Sequence, residues 1–361
     1  RTPPKSTLFP YTTLFRSKKL IQNAVDMQMV ADVPVGFFLS GGIDSACVVA
    51  SASEVQKNLV TFSIGFEDDS HNETEFAKIV ANTFHTKHIE ALFSFSEIEN
   101  LMQNMKTWYD EPFADTSAFP SYFVSKLARK HVTVVLTGDG GDEIFGGYGW
   151  YPNYLKLIKR KLFTSSWLEN LFLKLRKKCN PEGKFHLIFH YLQILFSNDL
   201  AIYTKQLGGL TKIEKKKYAK LFHIPPDYDD YWVFRKYWRP DLPDFTRLQY
   251  LDFHSYLPYD ILTKVDRVSM AVALECRVPL LSIELIDFFF SLPENIRLPN
   301  KSLKGLIKSA YKGLIPDVIL SKKKQGFSIP KSYFQTKGMK RHEYILSNLF
   351  PDIITAAESK R

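Results

Sequence analysis

The chain has 361 residues, 45% of them hydrophobic and 14% aromatic, enough to bury the core of one large or two ordinary domains. No apolar run approaches the ~20 residues that cross a bilayer, and the start lacks the charged, apolar and small-residue order of a secretion signal, so a cytoplasmic protein without a membrane partner is expected. The formal net charge is +10, but much of the excess lies in 156–178 and 212–220, where lysines are interspersed with apolar residues as on solvated helix faces; no nucleic-acid partner is expected.

Residues 1–17 contain three prolines, no initiator Met and no amphipathic period. They resemble a translated sequencing adaptor and are expected to be a non-native or disordered leader, the native chain being cut upstream of Lys18. From there the pattern predicts a helix over Lys19–Ala31, a strand over Val35–Leu39, a helix over Asp44–Glu54 and a strand over Val60–Phe66. A helix over Glu73–Phe84, a short strand over Thr86–Glu90, helices over Ile98–Trp108 and Ala118–Lys130, and a strand over Val132–Leu136 follow. Strands alternating with helices predict an α/β fold: an open, parallel, five-stranded-type sheet with helices on both faces, spanning 18–150. Beyond Gly149 the pattern turns helical, with prolines as breaks, and 151–361 is expected to be a mainly helical part. Cys47, Cys179 and Cys276 are odd in number, far apart and without metal-ligand spacing, so they read as structural thiols.

Two loops carry the chemistry. Leu39-Ser40-Gly41-Gly42-Ile43-Asp44-Ser45 joins the first strand to a helix, where backbone N–H groups and the positive helix end converge on an anion, and Ser40 and Ser45 add hydroxyls. The loop has no lysine, so it is not a loop for γ-phosphoryl transfer, and Asp44 would repel phosphate unless a divalent cation stood between them. Ser-Gly-Gly-x-Asp-Ser resembles the pyrophosphate loop of ATP pyrophosphatases, which cut ATP at the α-phosphate. The second loop, Thr137-Gly138-Asp139-Gly140-Gly141-Asp142-Glu143, ends the strand at Leu136. Asp44 and Asp142 at the ends of neighbouring strands can share Mg2+ on the pyrophosphate oxygens, although Asp142 also suits a helix N-cap and Asp139 a turn. Gly146-Gly147 suits a hinge, a plain turn or a close backbone approach.

These segments, together with Asp110–Ser117, Asp260–Arg267, Leu274–Pro279 and Lys324-Gln325-Gly326-Phe327, resemble the synthetase domain of glutamine-hydrolysing asparagine synthetases, from about Lys18 to about Phe334. The resemblance implies an adenine nucleotide alpha hydrolase-like fold and a ligase using ATP and Mg2+. Aspartate is converted to β-aspartyl-AMP with release of pyrophosphate, and ammonia then displaces AMP. It implies that Leu39, Ile64, Thr137 and Gly138 touch the adenosine, that Ser40, Gly41, Gly42, Asp44 and Ser45 hold pyrophosphate, and that Asp44 and Asp142 bind metal. Asp115, Thr116, Ser117 and Glu143 are implied to face the substrate, Asp139 to bear on formation of the intermediate, and Lys324 to stabilise charge on the reacting phosphate. By charge alone, Lys322–Lys324 is a solvated turn. An amino-terminal glutaminase domain is expected to be absent, so ammonia would come from outside the chain, with a homodimer as the candidate assembly. Ser282, Trp150 and Asp139 depart from the family's usual Asp, Arg and Glu, which leaves adenylation of another carboxylate, such as a sugar uronic acid or a β-lactam precursor, or a degenerate nucleotide-binding scaffold, as alternatives.

Overall fold

The computed structural model describes residues 10–66, 74–111, 113–161, 163–180, 183–207, 219, 224–225, 228–322 and 329. Two compact units form: one gathers Arg1–Gly147 with Tyr256–Arg361, the other is Tyr148–Ser255. The chain leaves the first unit after Gly147 and returns to it at Tyr256.

In the first unit Val35–Phe38 (β1) is the centre of a five-stranded, all-parallel sheet. Val60–Phe66 (β2) and Lys87–Phe93 (β3) lie to one side of it, Val134–Leu136 (β4) and Glu275–Arg277 (β5) to the other, in the order β3-β2-β1-β4-β5. The α/β expectation is met. The part after Gly149 is mainly helical, as expected, and also supplies the fifth strand: β5 pairs Val134 with Glu275 and Leu136 with Arg277. A three-residue Glu-Cys-Arg strand has no alternation of its own; its neighbour defines it.

The helices of this unit are Pro10–Met29 (α1), Ile43–Val55 (α2), Thr74–Thr83 (α3), Phe95–Trp108 (α4), Ala118–Arg129 (α5) and Gly141–Phe145 (α6), followed after Tyr256 by Thr263–Met270, Ile283–Ser291 and Gly305–Ala310 among others. Residues 10–17, expected as leader, are the first turns of α1, and Thr13 and Ser17 are buried. Ser17 Oγ donates to Thr13 O at 2.8 Å, which satisfies a polar group on the inner face and hides the apolar period that would have announced the helix. Helix α2 is buried on nearly every side, from Ile43 through Ala52, because α1 covers what the sheet does not. Gln22 Nε2 donates to Ser51 O at 2.9 Å across that contact. Phe62, Ile64, Val124, Ala128, Val132, Val135 and Leu274 form the core between the sheet and α5.

The second unit packs Tyr151–Arg160 (α7), Ser166–Lys177 (α8), Lys184–Leu195 (α9) and Asp199–Gln206 (α10) with the helix Asp244–His254. Trp150 meets Tyr151, Tyr154 and Tyr203 edge to face. The hydroxyls of Tyr151 and Tyr203 each donate to the carboxyl of Asp252, which is fully buried. Burial pushes this acid up to about 7 despite the two phenols. The folded chain thus holds a proton there that the unfolded chain releases near 3.9, so Asp252 contributes stability below pH 4 that is lost as pH rises through 7. Asp252→Asn is expected to remove this component: thermal melts of wild type and variant should converge at low pH and separate toward pH 8 in favour of the variant. Parallel pH profiles would show that Asp252 is charged throughout.

Candidate functional site

The sheet changes direction between β1 and β4, and in open α/β sheets the crevice for ligands opens at that point, beyond the carboxyl ends of the strands. The loops that follow these two strands touch there. A Cβ on Gly138 would lie 2.6 Å from the Ser45 backbone nitrogen, so only glycine lets the second loop approach the start of α2. Gly41 takes φ +68°, a left-handed conformation that turns the first loop back on itself, and packs against the backbone of Phe76 and Ala77.

Within the first loop the hydroxyls of Ser40 and Ser45 are 3.2 Å apart. Ser45 Oγ accepts from Ser40 N at 3.3 Å and donates to Gly42 O at 3.1 Å. Gly42 opens α2 with no side-chain cap, so the positive end of a 13-residue helix faces this loop. In the second loop Thr137 Oγ1 donates to Asp139 Oδ2 at 2.7 Å and accepts from Asp139 N at 3.2 Å, which fixes that carboxylate beside β4. Leu39 is 1% exposed and Thr137 2%. The side chain of Ile64 belongs to the core under α5, so any contact it makes in the crevice comes from its backbone.

Asp44 and Asp142 are brought together, and by a residue the sequence did not single out. The Lys304 ammonium bonds to Asp44 Oδ2 and lies 2.6 Å from Asp142 Oδ1. Lys304 is 6% exposed and sits at φ +56° immediately before the helix Gly305–Ala310. A Cβ on Gly147 would fall 2.0 Å from both Asp142 Oδ1 and Lys304 Cε, which favours close approach over a hinge at this glycine. Nor does Asp142 cap α6; the N-cap is Gly140, in a left-handed conformation, and Glu143 follows, buried to 1% exposure.

Two carboxylates converging on one buried cation are a hard-oxygen pair suited to Mg2+, which commonly takes one or two protein carboxylates and completes its shell with water and substrate phosphates. Among the described residues no three His, Cys, Asp or Glu side chains form a group that could hold a metal ion.

The predicted substrate residues form a neighbouring cluster. Ser117 donates through N to Asp115 Oδ1 at 2.9 Å and through Oγ to Asp115 Oδ2 at 2.5 Å, while Lys264 Nζ donates to Asp115 Oδ2 at 3.3 Å. Lys264 is the second functional candidate missed in the sequence, although the segment Asp260–Arg267 had marked its surroundings. Burial works against its charge, but the carboxylates of Asp115, Asp139 and Asp260 outweigh burial and raise its pKa, so it stays an ammonium. That coupling to Asp139 ties the cluster to the second loop. Thr116 is 1% exposed, and its Oγ1 has no hydrogen-bond partner among the described residues. A π-helical turn, Leu257–Leu262, leads into its helix, and such turns concentrate at functional sites; it is a feature of the folded backbone that residue type does not announce.

Lys324 lies outside the described residues. Lys322, described, sits with Nζ 4.2 Å from the centroid of the Phe76 ring, beside the segment that packs on Gly41, and so is not a plain solvated lysine. Two of the three thiols are held protonated: Cys47 is fully buried and raised by that burial and by Asp44, and Cys276 is pushed up to about 12, chiefly by desolvation.

Residues 16–349 match the family model for asparagine synthase. The chain is 35% identical over 315 residues to asparagine synthetase [glutamine-hydrolyzing] 1 of Bacillus subtilis, covering 86% of this chain and 48% of that protein. It is 31% identical over 325 residues to a putative asparagine synthetase [glutamine-hydrolyzing] of Mycobacterium bovis, with 88% and 48% covered. A putative asparagine synthetase [glutamine-hydrolyzing] 2 of Methanocaldococcus jannaschii shares 42% identity over 193 residues, 53% of this chain and 37% of that one. The chain thus spans about half the length of the first two of these relatives.

Proposed function

We propose that this chain, which belongs to the asparagine synthase family, adenylates the β-carboxylate of aspartate with ATP, releases pyrophosphate, and lets ammonia displace AMP to leave asparagine. The observation that carries the reading is the Asp44–Lys304–Asp142 arrangement at the meeting of two glycine-rich loops. Asp44 and Asp142 would hold Mg2+, which when bound would offset the charge of the pyrophosphate group.

The chain's own residues supply the rest. Ser40, Ser45 and the N-terminal amides of α2 offer neutral donors to the pyrophosphate oxygens. Lys304, locked between carboxylates, offers a fixed positive charge to phosphate oxygens as the α–β bond breaks, where a preorganised ammonium in a water-poor crevice lowers the barrier most. Lys304 thereby joins Lys324, on which the resemblance places the same role, as a cation serving the reacting phosphate. Lys264, still charged, orients Asp115 and offers its ammonium toward an acidic substrate, with the Thr116 hydroxyl as a further donor or acceptor. Asp139, held by Thr137, keeps its carboxylate beside Lys264's charge and the nucleotide loop.

The test is pyrophosphate release by the purified chain. Release dependent on ATP and Mg2+ should rise when aspartate is added, and a response to another carboxylate in place of aspartate would reassign the acceptor. Ammonium salts should support asparagine formation and glutamine should not, because neither the Cys47 nor the Cys276 thiol is activated for attack. Glutamine-driven asparagine formation by these 361 residues would overturn that part.

A further inference from the structure

The second unit carries a concentration of positive charge that its described neighbours do not balance. Arg176, near the end of α8, places Nη1 2.5 Å from Nδ1 of His190 on α9, and Lys205 on α10 places Nζ 2.9 Å from Nε2 of the same ring. Guanidinium and ammonium groups only donate, whereas a neutral imidazole accepts at one nitrogen and donates at the other. His190 therefore cannot satisfy both neighbours in any protonation state. Among the described residues the cluster has a single neutral acceptor, Gln193 Oε1, 3.0 Å from Arg176 Nη1, and no carboxylate pairs with it. Burial, then Lys205, Arg176 and His186, hold His190 down to about 4. His186, one turn earlier on α9, adds a buried Nδ1 with no hydrogen-bond partner among the described residues.

Such an arrangement is satisfied by an oxyanion. An anion with several acceptor oxygens between Arg176, Lys205 and His190 accepts from all three, lets His190 take up a proton, and turns mutual repulsion into charge-assisted hydrogen bonds. Two fixed cations and one recruitable imidazolium match a dianion better than a monovalent carboxylate. Lys205 is exposed, so the site is open to solvent. We propose that Arg176, His190 and Lys205 form a binding site for a phosphate group, separate from the nucleotide crevice in the residues that build it.

The imidazole of His190 reports on the site directly. Nitrogen-15 histidine NMR of the full chain, with the His190 signal identified through His190→Gln, is recorded against pH with inorganic phosphate, with phosphoserine and with acetate. Phosphate is expected to raise the His190 pKa by more than ~1 unit, and Arg176→Gln and Lys205→Gln are each expected to weaken phosphate binding by about tenfold or more. Equal shifts with phosphoserine would assign the site to phosphoryl groups carried on larger molecules; a response to inorganic phosphate alone would assign it to the free ion. A His190 signal unmoved by ~20 mM phosphate, an equal response to acetate, or binding unchanged in both variants would overturn the proposal. Since two partly exposed positions are tested separately and the wild-type titration stands by itself, misfolding of one variant does not blunt the test.

Discussion

Lys304→Gln is expected to lower the rate of pyrophosphate release by roughly 10²- to 10³-fold per folded molecule, the usual cost of deleting one preorganised donor to developing charge. The same change should be felt before any nucleotide binds. Without the ammonium, Asp44 and Asp142 face each other in a buried site, and removing one partner of such a cluster costs about 3–5 kcal/mol of stability. Two effects of one substitution need separate readouts. Magnesium ions alone should raise the melting temperature of the variant more than that of the wild type, because the cation then takes the place of the ammonium between the two carboxylates. The rate should stay low even at Mg2+ concentrations that restore the melting temperature. Recovery of full activity together with stability would make Lys304 a structural counter-ion only, and would leave the catalytic role to Lys324 alone, whose alanine variant belongs in the same experiment.

The loops that Lys304 joins were legible in the sequence because their signals are local. Glycines, serines and acids between a β-branched run and a helical pattern announce a strand, a turn and an anion site within a dozen residues. The carboxylates could be named, and their convergence argued, from the alternation of strands and helices alone. Lys304 had no such signature. It stands 260 residues from Asp44 in a Lys-Ser-Leu-Lys-Gly stretch that reads as an exposed basic turn, and its left-handed backbone is invisible in residue type. Strand β5 was hidden for a related reason: its pairing partner, not its own pattern, makes it a strand. In α1 the obstacle was polar residues on the buried face; Thr13 and Ser17 break the apolar period, and the Ser17 hydroxyl is satisfied by the Thr13 backbone carbonyl. Local chemistry was readable, and long-range complementarity was not.

That complementarity makes the carboxylates separable from their lysine by experiment. Asp44→Asn and Asp142→Asn keep side-chain volume and an acceptor oxygen but remove a charge, so each is expected to lower pyrophosphate release by more than about tenfold at fixed Mg2+, with part of the loss recovered as Mg2+ is raised. The fold should persist, since Lys304 retains one carboxylate in either variant and no buried ammonium is left alone. Asp142 is the sharper case. Its backbone lies in the short helix α6, whose cap is Gly140, so the side chain contributes nothing to capping, and a fall in melting temperature cannot be ascribed to a lost cap. A loss of rate that ignores Mg2+ concentration, accompanied by a lower melting temperature of the free protein, would show that Asp142 serves to anchor Lys304 and that the metal is held elsewhere. A loss that Mg2+ repairs, with the free protein as stable as wild type, is the outcome expected of a metal ligand.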